Sequence, residues 1–296
     1  MLIYVCFFKL FTFILTLFSS LVYNFHKHIK DIKTKHNLKY GKKFNIYHRL
    51  DVHYNKNEIE NKKPCIVYFH GGGWMCYSKC IYTTLCRRLA KMGYVVFNVN
   101  YSLSPKNKMD KILNDCKEAV DFVQKIADNF GGDKNKIIFA GDSAGAHISA
   151  MLAGFAKHNK YNNSSLKENI KALILLYGVF DLTTMLQSKF PNIKIYGKNV
   201  LKGKCKDIEE NNKYSPINYI SSEYPPCFVA SGKIDKLHES QSNVMFNTLI
   251  ENNVKAEKLF FEKKEKRAFH AYMIFDGLQT NVKTLEKIEK FLKEVV

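Results

Sequence analysis

A serine flanked by glycines is the first feature of this sequence that could do chemistry. Residues 141–145 read Gly-Asp-Ser-Ala-Gly, with Ser143 at the centre, between an apolar run at 136–140 and a stretch of helical spacing at 144–157. A Gly-x-Ser-x-Gly segment between a strand and a helix is typical of a serine held on a sharp turn with its hydroxyl exposed. The N-terminus of the following helix favours negative charge beside it. We therefore predict that Ser143 is a nucleophile.

A serine hydroxyl is a weak nucleophile at neutral pH, so it needs a nearby base and an acid that orients the base. Asp235 follows a short apolar run at 227–230, and His270 follows another at 255–261. If both runs are strands of one parallel sheet, the two side chains lie at its carboxyl edge with the serine. The order serine, aspartate, histidine suits such a sheet. Asp181 is the alternative acid.

Consecutive glycines supply candidate amide donors for a negatively charged oxygen. Residues 70–74 read His-Gly-Gly-Gly-Trp and directly follow an apolar run at 64–69. Three glycines in a row are a poor choice for stability alone, because each loses much backbone entropy on folding. Amides of Gly71, Gly72 and Ala144 are predicted to form an oxyanion hole. A phosphate loop is disfavoured, because no Gly-Lys-Ser/Thr ending follows the glycines.

The rest of the sequence must position these groups. Apolar runs and stretches of helical spacing alternate along most of the chain. Such alternation implies crossover connections, so the predicted fold class is α/β, with a mainly parallel central sheet and helices on both faces. Residues 182–226 interrupt this pattern and are too long for an ordinary connection, which predicts a small cap over the site. The catalytic domain is expected at 45–296, after a basic linker at 26–44.

An apolar leader precedes this domain. Between residues 1 and 25 the only charged side chain is that of Lys9. The length of the apolar stretch at 10–23 suits a signal peptide, and with Lys9 included it could also form a membrane anchor. The expected location is therefore membrane-associated or in the secretory pathway. Lysines directly after the leader would favour a cytosolic-facing anchor.

Net charge and cysteine spacing narrow the partners. The chain has a net charge of +19, which invites a nucleic-acid partner, but only four of its basic residues are arginines and its lysines are scattered. Because arginine is the better reader of phosphates and bases, we expect no nucleic-acid partner. The densest basic run, at 263–267, could favour anionic substrates. No Cys-x-x-Cys pair is present, so a structural metal is not expected.

The sequence resembles a known enzyme family at several of these motifs. Residues 70–74, 141–145 and the late Asp235 and His270 are similar to the hormone-sensitive-lipase-like carboxylesterases of the α/β-hydrolase superfamily, especially prenylcysteine-methylesterase-like and formamidase-like members. The resemblance implies a serine esterase without metal or cofactor. One departure is Ala271, where relatives often place glycine, and its methyl group would narrow the pocket.

The predicted reaction is hydrolysis of a small carboxylic ester through an acyl-enzyme. Trp74, Phe180 and the cap are expected to shape the substrate pocket. Three alternatives remain open from the sequence. They are an amidase or formamidase that uses the same triad, a ligand-binding relative without catalysis, and a membrane-tethered basic module that binds anionic lipid.

Overall fold

An eight-stranded sheet forms the centre of the protein. The computed structural model describes residues 31–41, 47–158, 164–202 and 207–296. The strands are β1 Ile32–Lys39, β2 Arg49–Asn55, β3 Lys63–Phe69, β4 Val95–Val99, β5 Gly132–Asp142, β6 Ile170–Leu176, β7 Cys227–Gly232 and β8 Ala256–Phe261. Their order across the sheet is β1-β2-β4-β3-β5-β6-β7-β8. Among these strands β2 runs antiparallel to both of its neighbours, β1 and β4, and the other pairs are parallel, so the predicted mainly parallel sheet is confirmed.

Helices cover both faces of this sheet and also form the insertion between β6 and β7. They are α1 Thr83–Lys91, α2 Met109–Ile126, α3 Ala144–Lys157, α4 Ser164–Asn169, α5 Leu182–Gln187, α6 Ile193–Val200, α7 Ile208–Lys213, α8 Val244–Glu251 and α9 Gln279–Val295. Strand side chains alternate between two cores, because successive residues of a strand point to opposite faces. Val67 and Phe69 of β3 pack in the core that includes α2, α3 and α8. Ile66 and Tyr68 pack in the core beneath α1 and α9.

The prediction of a linker at 26–44 is wrong in part, because β1, which lies within this range, forms an edge strand of the sheet. Its residues pair antiparallel with β2, from Ile32 opposite Asn55 to Lys39 opposite Arg49. Ile32 is its only fully buried side chain, so the strand lacks the apolar alternation that marks a strand in sequence. Polar contacts attach it instead, since Arg87 of α1 donates to the carbonyl oxygen of Ile32 at 2.9 Å.

The cap expected at 182–226 is formed between β6 and β7. It consists of α5, α6 and α7, followed by a 3₁₀ turn at Pro216–Tyr219. Leu182, Met185 and Val200 bury apolar side chains in the same core as α3. The cap is therefore packed against the body of the domain at the edge where the parallel strands end.

The apolar leader expected at 1–25 lies outside the described residues. Among the helices within 31–41, 47–158, 164–202 and 207–296, none is long and apolar enough to cross a bilayer.

Candidate active site

Ser143 lies on a sharp turn between β5 and α3. Its backbone has φ 49° and ψ −117°, a conformation that costs a non-glycine residue about 1–3 kcal/mol. The Ser143 amide donates to the carbonyl oxygen of Leu176 at 2.9 Å, which fixes the turn to β6. A side chain on Gly145 would overlap the carbonyl oxygen of Phe69. Glycine at this position therefore lets the start of α3 approach the end of β3.

The structure brings Ser143, His270 and Asp235 together in one line of hydrogen bonds. His270 Nε2 lies 2.9 Å from Ser143 Oγ, and His270 Nδ1 lies 2.7 Å from Asp235 Oδ2. The other carboxylate oxygen of Asp235 accepts from the amide of Leu237 at 3.0 Å. These contacts have the geometry that a serine, its base and the acid that orients the base require.

Burial and charge act in opposite directions on His270. Burial lowers the pKa of the imidazole, but the charge and hydrogen bond of Asp235, together with the charge of Asp142, outweigh burial and leave the pKa raised above its ordinary value. The Asp235 side chain is only 1% exposed, so little water screens its charge from the histidine. The site therefore stabilises the imidazolium that forms when Ser143 loses its proton.

The alternative acid has a different role. Asp181 is the N-cap of α5, where its carboxylate accepts from the amide of Thr183 at 2.9 Å. A second histidine close to Ser143 in sequence is also used structurally. His147 donates from Nε2 to the carbonyl oxygen of Tyr214 at 2.8 Å, and burial lowers its pKa to about 3. His147 therefore supports the cap in its neutral form.

The prediction of Gly71 as an oxyanion-hole donor is wrong. The Gly71 amide donates to Asp142 Oδ1 at 2.9 Å, so it is already paired. Gly72, Gly73 and Ala144 line the cavity beside Ser143. Within the described residues their amides have no acceptor. Gly72 has φ +106° and Gly73 has φ +58°. The second and third glycines, rather than the first and second, are thus placed to bind an oxyanion with Ala144.

Asp142 is a residue of the candidate site that the sequence analysis did not single out. Its buried carboxylate accepts from the hydroxyls of Tyr68 at 3.1 Å and Tyr82 at 2.9 Å, besides the amide of Gly71. Burial raises the pKa of Asp142 to about 6, against the lowering effect of these hydrogen bonds. Asp142 therefore connects the glycine loop, residues 70–74, to the turn that carries Ser143. An acidic residue next to the serine, in an otherwise apolar setting, was the available signal.

A cavity of about 120 Å³ opens beside Ser143. Trp74, at the end of the glycine loop, lines it and packs edge-on against His147, with 5.1 Å between ring centroids. The cap supplies four further lining side chains, which are Met185, Phe190, Ile193 and Tyr196. The Phe190 ring also contacts His270, with 4.7 Å between centroids. The cavity is mostly apolar and admits only a small group.

The prediction of Phe180 as a pocket residue is wrong, whereas Trp74 and the cap do line the cavity. Phe180 is fully buried and packs in the core under the cap, because its ring fills the space beside Gly178. Its amide donates to Gln241 at 2.7 Å. Ala271 lines the cavity and has φ +69°, a backbone conformation in which glycine would be unstrained.

Replacing Asp142 should change both the rate and its pH dependence. Catalysis needs neutral His270, so kcat/KM falls as the pH drops through the histidine pKa, which the charge of Asp142 helps to raise. Asp142→Asn should therefore move the acid limb of the kcat/KM profile to lower pH. It should also lower kcat at least about tenfold, because the glycine loop loses an anchor. Steady-state kinetics of ester hydrolysis across pH measures both effects.

Asp133→Asn is the matched control, since Asp133 is a half-buried aspartate at the opposite end of the same strand. It should leave the acid limb unmoved. An Asp142→Asn profile that coincides with that of the unaltered chain would contradict the role given to this carboxylate.

Similar proteins are known by sequence. The chain is 27% identical over 254 residues to Esterase LipC of Mycobacterium tuberculosis, covering 83% of this chain and 62% of that protein. It is 26% identical to the acetyl esterase of Salmonella paratyphi B, covering 73% of this chain and 67% of that protein. Isoprenylcysteine alpha-carbonyl methylesterase ICME of Arabidopsis thaliana is 27% identical, with 73% and 53% covered. The chain spans only 55–62% of the length of the three mycobacterial relatives.

Solved structures share the fold. An esterase from Pyrobaculum calidifontis superimposes with a TM-score of 0.77 at 22% identity, covering 96% of this chain and 92% of that one. Esterase B from Lactobacillus rhamnosis superimposes with a TM-score of 0.77 at 17% identity, covering 89% of this chain and 86% of that one. At such low identity these matches establish the α/β-hydrolase fold. The family model described as BD-FAE matches residues 50–249, most of the chain, and the chain therefore belongs to the BD-FAE family.

Proposed function

We propose that this protein is a carboxylesterase that hydrolyses small esters through an acyl-enzyme on Ser143. The observation that carries the proposal is the hydrogen-bonded line from Asp235 through His270 to Ser143, which ends in a cavity lined by Gly72 and Gly73. Membership of the BD-FAE family and the esterase names of several relatives support the same reaction class.

Acylation follows from the geometry. Ser143 Oγ attacks the ester carbonyl carbon while its proton passes to His270 Nε2, and Asp235 stabilises the resulting imidazolium. The carbonyl oxygen becomes an oxyanion and accepts hydrogen bonds from the amides of Gly72, Gly73 and Ala144. Each such donor is typically worth about 10²- to 10³-fold in rate. Collapse breaks the bond to the alcohol, which leaves with the proton from His270.

Deacylation reverses these roles with water as the nucleophile. A water molecule gives one proton to His270 and attacks the acyl carbon, and the same amides hold the second oxyanion. The bond to Ser143 Oγ then breaks, His270 returns its proton to that oxygen, and the carboxylic acid leaves. The site is thereby restored, with water as the only co-substrate.

The cavity predicts the size of the acyl group. A volume of about 120 Å³ is well below the roughly 300 Å³ at which sites for drug-sized ligands begin. Phe190 and Tyr196 of the cap close the space above Ser143, and the Tyr196 ring occupies the position that a side chain on Gly73 would need. Short acyl groups such as acetyl should therefore fit this cavity better than long ones.

We further propose that residues 1–25 anchor the chain to a membrane. The support is compositional, because Lys9 is the only charged side chain in that apolar stretch. In cells that make the full chain, we expect it to sediment with membranes, to resist alkaline carbonate extraction and to retain residues 1–25 by intact mass. A chain that lacks them would point to a cleaved signal peptide, and a full-length chain in the soluble fraction would contradict both ideas.

Removing the nucleophile should abolish covalent labelling. A fluorophosphonate should add to the unaltered protein at one site, and Ser143→Ala should lose this adduct and at least about 10³-fold in ester turnover. Intact mass spectrometry and steady-state kinetics measure the two effects. Ser149→Ala is the control, because Ser149 is a buried serine on α3 whose hydroxyl has no hydrogen-bond partner among the residues that the structure describes. A folded protein that the probe does not label would rule out an activated serine.

Widening the cavity should change acyl selectivity. The unaltered protein should hydrolyse nitrophenyl acetate faster than the octanoate ester, and Phe190→Ala should reduce that preference at least about tenfold, because the ring closes the cavity beside His270. A matched control is Phe122→Ala, which removes a half-buried phenylalanine packed against the core from α2. Equal selectivity in the Phe190 and Phe122 variants would exclude the cap as the acyl boundary.

A further inference from the structure

We propose that the histidine loop, residues 262–277, docks on the surface of a bilayer that contains anionic lipid. The loop joins β8 to α9 and carries His270. Its surface combines exposed aromatic rings with exposed cations, and two of its residues, His270 and Ala271, line the cavity. This inference concerns binding and stands whether or not the site hydrolyses esters.

Two phenylalanines of this loop are exposed to solvent, one before and one after His270 and Ala271, the loop residues that line the cavity. Phe269 and Phe275 are each 38% exposed, and their rings meet edge-on with 5.6 Å between centroids. Phe269 directly precedes His270, whose own side chain is 19% exposed. Paired exposed aromatic rings are unusual on a free surface, and they suit the boundary between headgroups and acyl chains.

The exposure of these rings is built into a well-anchored loop. Ala268 is fully buried against Gly232, and the Tyr272 hydroxyl lies 2.8 Å from Thr284 Oγ1 of α9. Asn281 donates to the carbonyl oxygen of Phe275 at 3.3 Å. Residues on both sides of each phenylalanine are thus fixed to the core, so the loop cannot easily fold the two rings inward.

The acidic side chains of this loop are paired, whereas its lysine and arginine side chains are exposed. Each acidic side chain of the loop has a basic partner from another element. The pairs are Glu262 with Lys233 at 2.8 Å, Glu265 with Lys283 at 3.9 Å and Asp276 with Arg88 at 2.7 Å. The loop also has four exposed basic side chains, and among the described residues no carboxylate oxygen lies within 4 Å of any of them. They are Lys263, Lys264, Lys266 and Arg267.

An anionic bilayer is the partner that matches both features. Cations near a membrane surface that contains anionic lipid contribute attraction that salt screens, and exposed aromatic rings add burial in the headgroup region. A soluble polyanion would use the cations and leave Phe269 and Phe275 in water. Docking through this loop would turn the mouth of the cavity toward the lipid.

Vesicle binding by the full chain tests the proposal. The chain should bind vesicles of phosphatidylcholine with about one fifth phosphatidylserine more tightly than phosphatidylcholine alone, and added salt should weaken that difference. The triple variant Lys263→Gln, Lys264→Gln, Lys266→Gln should bind the anionic vesicles at least about tenfold more weakly. The double variant Phe269→Ala, Phe275→Ala should bind both types of vesicle about fivefold or more weakly. Circular dichroism checks that each variant is folded.

A matched triple variant removes the same charge from the opposite end of the sheet. Lys91, Lys125 and Lys255 are exposed lysines that precede β4, β5 and β8, at the amino ends of the strands. Replacing all three by glutamine should leave vesicle binding within about twofold of the unaltered chain. An equal loss of vesicle binding in both triple variants would show that net charge alone sets the binding, and this would overturn the proposal. So would phenylalanine variants that bind as well as the unaltered chain.

A local measurement separates the loop from the apolar leader, which all variants share. Hydrogen–deuterium exchange of the full chain should slow at amides within 262–277 when anionic vesicles are added. Amides near Lys91 and Lys125 should exchange as before. Binding without protection in the loop would assign the contact to another part of the chain and overturn the proposal.

Discussion

The close approach of β3 and α3 is the constraint on which the site depends. Glycine at 145 lets the helix start directly against the carbonyl oxygen of Phe69, which brings the glycine loop beside Ser143. Asp142 then joins the two segments through Gly71 and two tyrosines from the far side of the sheet. The nucleophile and the amides that face it are therefore held as one unit, before any contribution from His270.

Much of the fold could be predicted from sequence because its signals are local. The strand-to-helix change around Ser143, the buried parallel strands and α3 follow from short apolar runs bounded by glycine or polar residues. The order of Ser143, Asp235 and His270 placed them on one edge of the sheet once parallel strands were assumed. The cap could be predicted from the break in that pattern, although not which of its side chains reach the cavity.

What escaped prediction depends on contacts between segments distant in sequence. The strand β1 is polar, buries one side chain and is attached by Arg87, so no apolar alternation marks it. The amide of Gly71 is taken by Asp142, a residue 71 positions later, and no local pattern distinguishes the three glycines in this respect. Phe180 follows the end of β6, but it is fully buried and its ring packs in the core beside Gly178.

The cap touches both halves of the catalytic apparatus. Tyr196 fills the space beside Gly73, on the amide side of the cavity, and Phe190 packs on the imidazole of His270, on the proton-transfer side. A different cap in this position would therefore have to provide both contacts again, because one lies against the oxyanion side of the site and the other against the catalytic base. Substrate range and rate are thus coupled in this architecture, and replacing residues 182–226 by those of a relative would alter both at once.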